Sequence, residues 1–80
     1  MEIKEEVLEM IIDAAAKTFN TDKSKFSPQT NLEKDFAAKS INFVQIIGEL
    51  EDEYEVEVDF MAFKNAETIE KEADYVAELL

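Results

Sequence analysis

Apolar residues recur along the start of the chain at the spacing of one helix face. Between about Glu2 and Phe19 they return every three or four positions, and no glycine or proline interrupts the run. Glutamates near the start and Lys17 near the end suit the two poles of a helix dipole. The pattern predicts a first helix whose inward stripe is Ile3, Val7, Met10, Ile11, Ala14 and Thr18, widened by Leu8, Ile12, Ala15 and Phe19.

Residues 20–39 form a long polar connection that contains the only proline, Pro28. Connections of this length are uncommon in helical bundles unless they are functional or pinned to the core. Phe26, Leu32 and Phe36 are the expected pins. The pattern leaves open whether a short helical turn lies within the connection.

The strongest helical period follows, from about Ser40 to Glu55. Ser40 is predicted to be the N-cap, because a serine side-chain oxygen can accept from the free amides at a helix start. Its hydroxyl, at the positive end of the helix dipole, is also well placed to carry a phosphate. A cap with no further role is the alternative. The predicted inward row is Ile41, Val44, Ile47, Leu50 and Tyr54, widened by Phe43 and Ile46.

The last third of the chain predicts a loop and two further helices. Glu55–Asp59 alternates like a strand, but it is too short and lacks a partner, so we expect a loop with one valine turned inward. A short helix is expected at Phe60–Phe63, and Asn65 or Thr68 should cap the last helix. The row of that helix is Ile69, Ala73, Val76 and Leu80, beside Tyr75 and Leu79. The expected fold is all-α: a small four-helix up-down bundle, three main helices and one short, in one domain over residues 1–80.

Charge narrows the possible partners. The net charge is −12, from 20 acidic residues against 8 lysines. This charge argues against nucleic acid as a partner, because phosphate binding needs a basic surface, and it also disfavours anionic membranes. The charge instead favours steering toward proteins with basic surfaces.

The absence of two residue types limits the chemistry that this chain can perform. Without cysteine there is no disulfide, thiol nucleophile or cysteine metal site, and without histidine the commonest general base near neutral pH is missing. The chain start lacks the basic and apolar segments of a signal peptide, and no apolar stretch is long enough to span a membrane. We expect a cytoplasmic monomer.

The segment around Ser40 resembles the acyl carrier proteins. That family carries Asp-Leu-Gly-Ala-Asp-Ser-Leu-Asp ahead of an acidic helix, and this chain reads Asp-Phe-Ala-Ala-Lys-Ser-Ile-Asn over residues 35–42. The resemblance continues through residues 51–54 and Val58 to residues 68–69 and 75–76. It covers most of the chain, although the motif is only half matched.

The resemblance implies a carrier, not an enzyme, and therefore no catalytic residues. A separate phosphopantetheinyl transferase would move phosphopantetheine from coenzyme A onto Ser40, and its thiol would present acyl groups as thioesters to synthases, ligases or transferases of fatty-acid, lipid or polyketide-like synthesis. Those partners would use basic docking surfaces. Two alternatives stay open: an unmodified acidic helical adaptor, which Lys39 favours, and an aminoacyl or peptidyl carrier.

The departures from the family fall on one helix face. Lys39, Asn42 and Gln45 stand where the family has acids, which suggests different partners or neutral drift of the surface. Ala37 replaces a turn glycine, so a left-handed backbone there would be strained unless the turn is more helical. Gly48 either packs against another backbone or lies exposed toward partners, and the resemblance to the family favours the exposed position. The predicted partner-binding residues are Lys39, Ile41, Asn42, Gln45, Gly48, Glu49 and Asp52.

The remaining expectations concern a possible acyl cavity and the acidic run of residues 49–59. In the family an acyl chain slides between the helices, and here it would be lined by Ile46, Leu50, Tyr54, Phe63, Ile69 and Ala73, although an ordinary core is the alternative. Phe43 and other aromatics could shorten such a cargo. Seven acids between Glu49 and Asp59 do not match the calcium-loop pattern, so we expect partner recognition or solvation there and no metal.

Overall fold

Five α-helices, three of them long, make up the described part of the chain. The computed structural model describes residues 2–80, and no strand occurs within them. The helices are α1 (Ile3–Thr18), α2 (Leu32–Phe36), α3 (Ser40–Tyr54), α4 (Phe60–Asn65) and α5 (Ile69–Leu79), with a 3-10 turn at Lys23–Lys25. The predicted all-α bundle of three main helices is confirmed. Helix α2 adds a second short helix that the sequence pattern did not settle. No helix in residues 2–80 is long and apolar enough to cross a membrane.

One apolar core joins the three long helices. Helix α1 packs against both α3 and α5, most extensively against α5. It contributes Val7, Ile11 and three consecutive alanines, whose small side chains allow a close approach of the neighbouring helices. From α3, the buried Phe43 meets Phe60 and Phe63 edge-to-face, with ring centroids 6.1 and 6.4 Å apart. Helix α4 is therefore held to α3 by aromatic packing.

The buried face of α3 differs from the prediction. Ile41 and Val44 are 59% and 52% exposed, so the first two members of the predicted inward row are wrong. Successive residues turn by about 100° along an α-helix, so burying the large ring of Phe43 rotates these two positions toward solvent. The residues that α3 buries are Phe43, Ile46, Ile47 and Leu50.

Three apolar residues of the predicted inward stripes, all at the ends of the bundle, are also exposed. Ile3, in the first turn of α1, is 45% exposed. Leu79, the last residue of α5, is 39% exposed, and Leu80 after it is 48% exposed. All of them lie in or next to a terminal turn of their helix. The inward stripes are correct in their middle and too long at their ends.

The long connection is pinned as predicted. Leu32 and Phe26 are buried, and Phe36 stacks on Phe26 with ring centroids 4.5 Å apart. Phe36 also lies 5.5 Å from Phe19 at the end of α1. These contacts fix the connection to the core without a regular element over most of its length.

The connection is also bonded to the start of α5. The backbone N–H groups of Ile69 and Glu70 donate to the carbonyls of Thr30 and Pro28, at 3.0 and 2.9 Å. Of the two predicted caps, Asn65 and Thr68, it is Thr68 that caps α5. Its side-chain oxygen accepts the backbone N–H of Lys71 at 3.3 Å. Loop carbonyls therefore satisfy N–H groups that a helix start otherwise leaves free.

The segment after α3 is the predicted loop. Glu55 ends the helix in a left-handed conformation with φ 54°, and Val58 is the valine that turns inward and is buried. A carboxylate oxygen of Glu51 accepts the Val58 backbone N–H at 2.8 Å. The backbone N–H of Asp59 donates to the Tyr75 hydroxyl at 3.0 Å, which ties the loop to α5.

Candidate functional site

Ser40 is the first residue of α3, and its side chain is exposed. The prediction that Ser40 is the N-cap is wrong by one residue. The cap is Lys39, whose carbonyl accepts the backbone N–H of Phe43 at 3.2 Å, while the Asn42 side-chain oxygen accepts the Lys39 N–H at 2.8 Å. Asn42 thus makes the returning contact of a capping box. The capping contact does not use the Ser40 hydroxyl, which leaves that hydroxyl available for chemistry.

The start of α3 presents backbone donors beside this hydroxyl. The N–H groups of Ser40 and Ile41 have no acceptor among residues 2–80. Helix α3 is 15 residues long, so its dipole places a partial positive charge at the same end. Free amides and a positive pole form an anion site. A phosphate ester on Ser40 fits this arrangement.

The turn before Ser40 is fixed in a strained conformation. Ala37 adopts φ 54° and ψ 41°, so the turn is left-handed and not more helical. An alanine in this region costs roughly 1–2 kcal/mol. Ala38 is buried and its N–H donates to the Leu32 carbonyl at 3.1 Å. The core therefore holds the chain that leads into Ser40.

Solvent reaches the predicted partner surface. None of its seven residues is buried, and Lys39, Gln45 and Asp52 are exposed. Its role in docking stays a prediction. Sequence reasoning missed two accessible apolar side chains, Val44 on α3 and Met61 on α4, which is 53% exposed. Centring the helical period of α3 on Phe43 would have placed Val44 outside the core.

Gly48 faces open space. A Cβ atom built on Gly48 would meet nothing within 4 Å, so packing against another backbone is excluded. The residue forms part of an open groove that also includes Lys17 of α1 and Gln45. Lys17 Nζ lies 2.9 Å from a carboxylate oxygen of Glu49, and this hydrogen bond raises the pKa of Lys17. One acid of the predicted surface is therefore paired with a lysine.

The acidic side chains between Glu49 and Asp59 do not meet at one point. Within residues 2–80 no three acidic side chains are grouped so that they could hold a metal ion. Glu51 accepts the backbone N–H of Val58, and Asp59 caps α4 by accepting the Met61 N–H at 3.3 Å. Two of the acids thus stabilise the backbone.

The residues predicted to line an acyl cavity lie together in the core, with one exception. Tyr54 is only half-buried, and its hydroxyl lies 3.4 Å from a carboxylate oxygen of Glu6 at the surface. The five that are completely buried are Ile46, Leu50, Phe63, Ile69 and Ala73. Contact with a cargo stays a prediction.

The structure adds a buried carboxyl that sequence reasoning missed. Glu72 is 1% exposed, and its Oε1 has no hydrogen-bond partner. Burial raises the pKa of Glu72 to about 8. Glu72 follows Ile69 by three residues and precedes Val76 by four, so it lies on the buried face of α5. This spacing was visible in the sequence, but the charged side chain kept it out of the predicted row.

Comparison with known proteins agrees with this geometry. A family model described as "Phosphopantetheine attachment site" matches residues 9–76, which include Ser40. The acyl carrier protein of Rubrobacter xylanophilus is 31% identical over 94% of this chain and 93% of its own length. That of Lactobacillus acidophilus is 32% identical over 91% of each chain, and that of Lactobacillus johnsonii is 27% identical over the same shares. The chain therefore belongs to the acyl carrier proteins, the family of phosphopantetheine-bearing carriers that hold acyl groups and are not themselves enzymes.

Proposed function

We propose that Ser40 is the residue that bears phosphopantetheine. The observation that supports this most strongly is the exposed Ser40 hydroxyl beside two free backbone N–H groups at the positive end of α3. When bound, the group supplies the thiol that this chain lacks, and acyl groups are held on it as thioesters. The chain itself contributes the hydroxyl, the fixed turn before it and an accessible helix face.

Intact mass measures this attachment directly. Apo protein is incubated with coenzyme A and a broad-specificity transferase, and its mass should increase by one phosphopantetheine group. Ser40→Ala should stay at the apo mass. Ser24→Ala, which removes another exposed serine hydroxyl, is the matched control and should be modified like the wild type. An unshifted wild-type mass, or a shift that persists in Ser40→Ala, contradicts the proposal.

The face of α3 next to Ser40, which begins at the cap Lys39, is the proposed docking surface for the enzymes that meet the carrier. Its first half carries Lys39 and two amides, whereas its acids, Glu49 and Asp52, come later. A partner that docks through basic residues is attracted to the later half and repelled by Lys39. We infer that such partners contact α3 further from Ser40 than they would in a carrier whose helix starts with the family's acidic Asp-Ser-Leu-Asp.

Reversing the charge of Lys39 tests this inference. With a transferase whose docking surface is basic, Lys39→Glu should increase the loading rate about fivefold at low ionic strength, the effect of about 1 kcal/mol. The gain should disappear in high salt because exposed charges are screened. Lys25→Glu makes the same change in net charge on the exposed 3-10 turn and should leave the rate nearly unchanged. Equal gains from both variants would point to net charge alone.

Lys39 also favours the adaptor as a second candidate, in which Ser40 is never modified. The two candidates differ in the native host. Apo protein alone in the host, together with function that survives Ser40→Ala, would decide for the adaptor. Holo protein and loss of function in Ser40→Ala would decide for the loaded carrier.

We also propose that cargo lies against the buried faces of α3 and α5. Ile46 and Leu50 on α3 and Ile69 and Ala73 on α5 are fully buried and apolar, as an acyl chain requires. Phe43 and its two aromatic neighbours occupy much of the space near α4. A short chain is therefore favoured over a long one.

A further inference from the structure

The buried carboxyl of Glu72 has no structural role that the contacts of the fold explain. Its side chain lies inside the bundle, on the face that α5 packs against α1 and α4, and its Oε1 lacks a hydrogen-bond partner. Burying a polar atom without a partner is costly, and an apolar residue of similar size would serve this face better. A ligand that enters the interior could supply the missing partner.

The position of Glu72 relates it to the proposed cargo. It lies three residues after Ile69 and directly before Ala73, and both of these were predicted to line an acyl cavity. All three side chains belong to the buried face of α5. A chain that lies along this face would therefore pass the carboxyl.

We propose that Glu72 is a recognition residue inside the bundle for an acyl chain that carries a hydroxyl or keto oxygen. The inference rests on the proposed function, because the cargo must first be attached at Ser40. It adds a polar contact to a lining that is otherwise apolar. A saturated chain would leave the Oε1 of Glu72 unpartnered.

The protonation state of Glu72 determines this chemical class. Burial keeps the carboxyl protonated at neutral pH, so it offers one O–H donor and one carbonyl acceptor. A hydroxyl can use both, and a keto oxygen can accept the donor. An ammonium group on the cargo would instead require an ionised Glu72 and a buried ion pair.

Thermal unfolding of loaded protein tests the inference. Apo protein is loaded with hydrolysis-stable analogues of a medium-length saturated acyl chain, of the same chain with one hydroxyl at a near, middle or far position, and of the same chain with one amine. Intact mass confirms each loading, and the Tm of each form is then measured at neutral pH. In the wild type, at least one hydroxylated chain should raise Tm above the saturated form by about 4–8 °C, the effect of one net hydrogen bond in a domain of this size.

Three variants separate recognition from packing. Glu72→Gln retains a donor and an acceptor, so it should keep the preference for the hydroxylated chain. Glu72→Leu should lose or reverse this preference. Glu78→Leu, which changes an exposed glutamate of the same helix, should behave like the wild type.

Several outcomes would overturn the inference. Equal Tm values for saturated and hydroxylated forms of the wild type exclude it, and so does a preference that survives in Glu72→Leu. A larger gain from the amine than from any hydroxyl would refute the oxygen class. A mass that does not shift on loading would instead show that attachment at Ser40 fails, and the inference would fail with it.

Discussion

The pH dependence of stability should be dominated by Glu72. Its carboxyl keeps its proton up to about pH 8 in the folded protein, whereas in the unfolded chain it ionises above about 4.5. Between these values folding takes up a proton, so the free energy of unfolding falls as the pH rises. The stabilisation is complete below about pH 4.5 and is lost as the pH approaches 8.

The difference between the folded and unfolded pKa values of Glu72 gives the magnitude of this loss of stability. Each pH unit in the window removes about 1.4 kcal/mol, so the interval from 4.5 to about 8 amounts to at most about 5 kcal/mol. Single domains are stable by about 5–15 kcal/mol in total. The buried carboxyl is therefore able to remove a large part of the stability of this bundle in mildly alkaline solution.

Glu72→Gln isolates the effect because glutamine has nearly the same shape and does not titrate. We expect the variant to lose the part of the pH dependence that Glu72 causes, while the other carboxylates act on both proteins alike. The difference in unfolding free energy between variant and wild type should grow by about 1.4 kcal/mol per pH unit from about pH 5 to about pH 8 and then level off.

Urea unfolding followed by far-UV circular dichroism measures this difference, since the chain has no tryptophan for fluorescence. The titration runs from about pH 5 to about pH 9 at fixed ionic strength. Glu78→Gln, at an exposed site on the same helix, should follow the wild type at every pH. Parallel curves for wild type and Glu72→Gln would show that the carboxyl of Glu72 is not held protonated by burial, and the reasoning would be refuted.

Two further substitutions test the backbone at the site and the partner face. Ala37→Gly should raise the free energy of unfolding by about 0.5–1 kcal/mol, because relief of the left-handed strain exceeds the gain in unfolded-state entropy. Ala66→Gly, at a right-handed C-cap with φ −68°, should be destabilising, and stabilisation by both variants would contradict this reasoning. Gly48→Ala should add up to about 1 kcal/mol, because its Cβ enters open space and alanine favours the helix. A lower urea midpoint for Gly48→Ala would mean that this position is packed.

Local sequence signals located the helices because each depends on neighbouring residues. The periods of α1, α3 and α5 and the cap at Thr68 were readable in this way. The pins Phe26 and Leu32 were readable as isolated apolar residues in a polar segment. The resemblance around Ser40 added the candidate site, which periodicity alone does not distinguish from a cap.

The sequence reading was wrong at positions where a contact with another residue overrides the local pattern. Ser40 was the predicted cap, but the side chain of Asn42 bonds to the backbone of Lys39, which caps the helix instead. Ile41 and Val44 had the helical spacing of core residues, but the packing of Phe43 against α4 rotates them outward. Spacing fixes which residues share a face and leaves open which way that face points.

The sequence by itself determined the helical class and the acidic surface, because these depend on composition and on contacts within a few residues, and its resemblance to a known family located the candidate site. The tertiary structure decided which α3 residues are exposed, that Ala37 is left-handed and that Glu72 is buried. Those features depend on how α1, α3, α4 and α5 enclose one another. The spacing of Glu72 between Ile69 and Val76 allowed an inward position, but only the helices packed around it decide that a carboxyl is buried there.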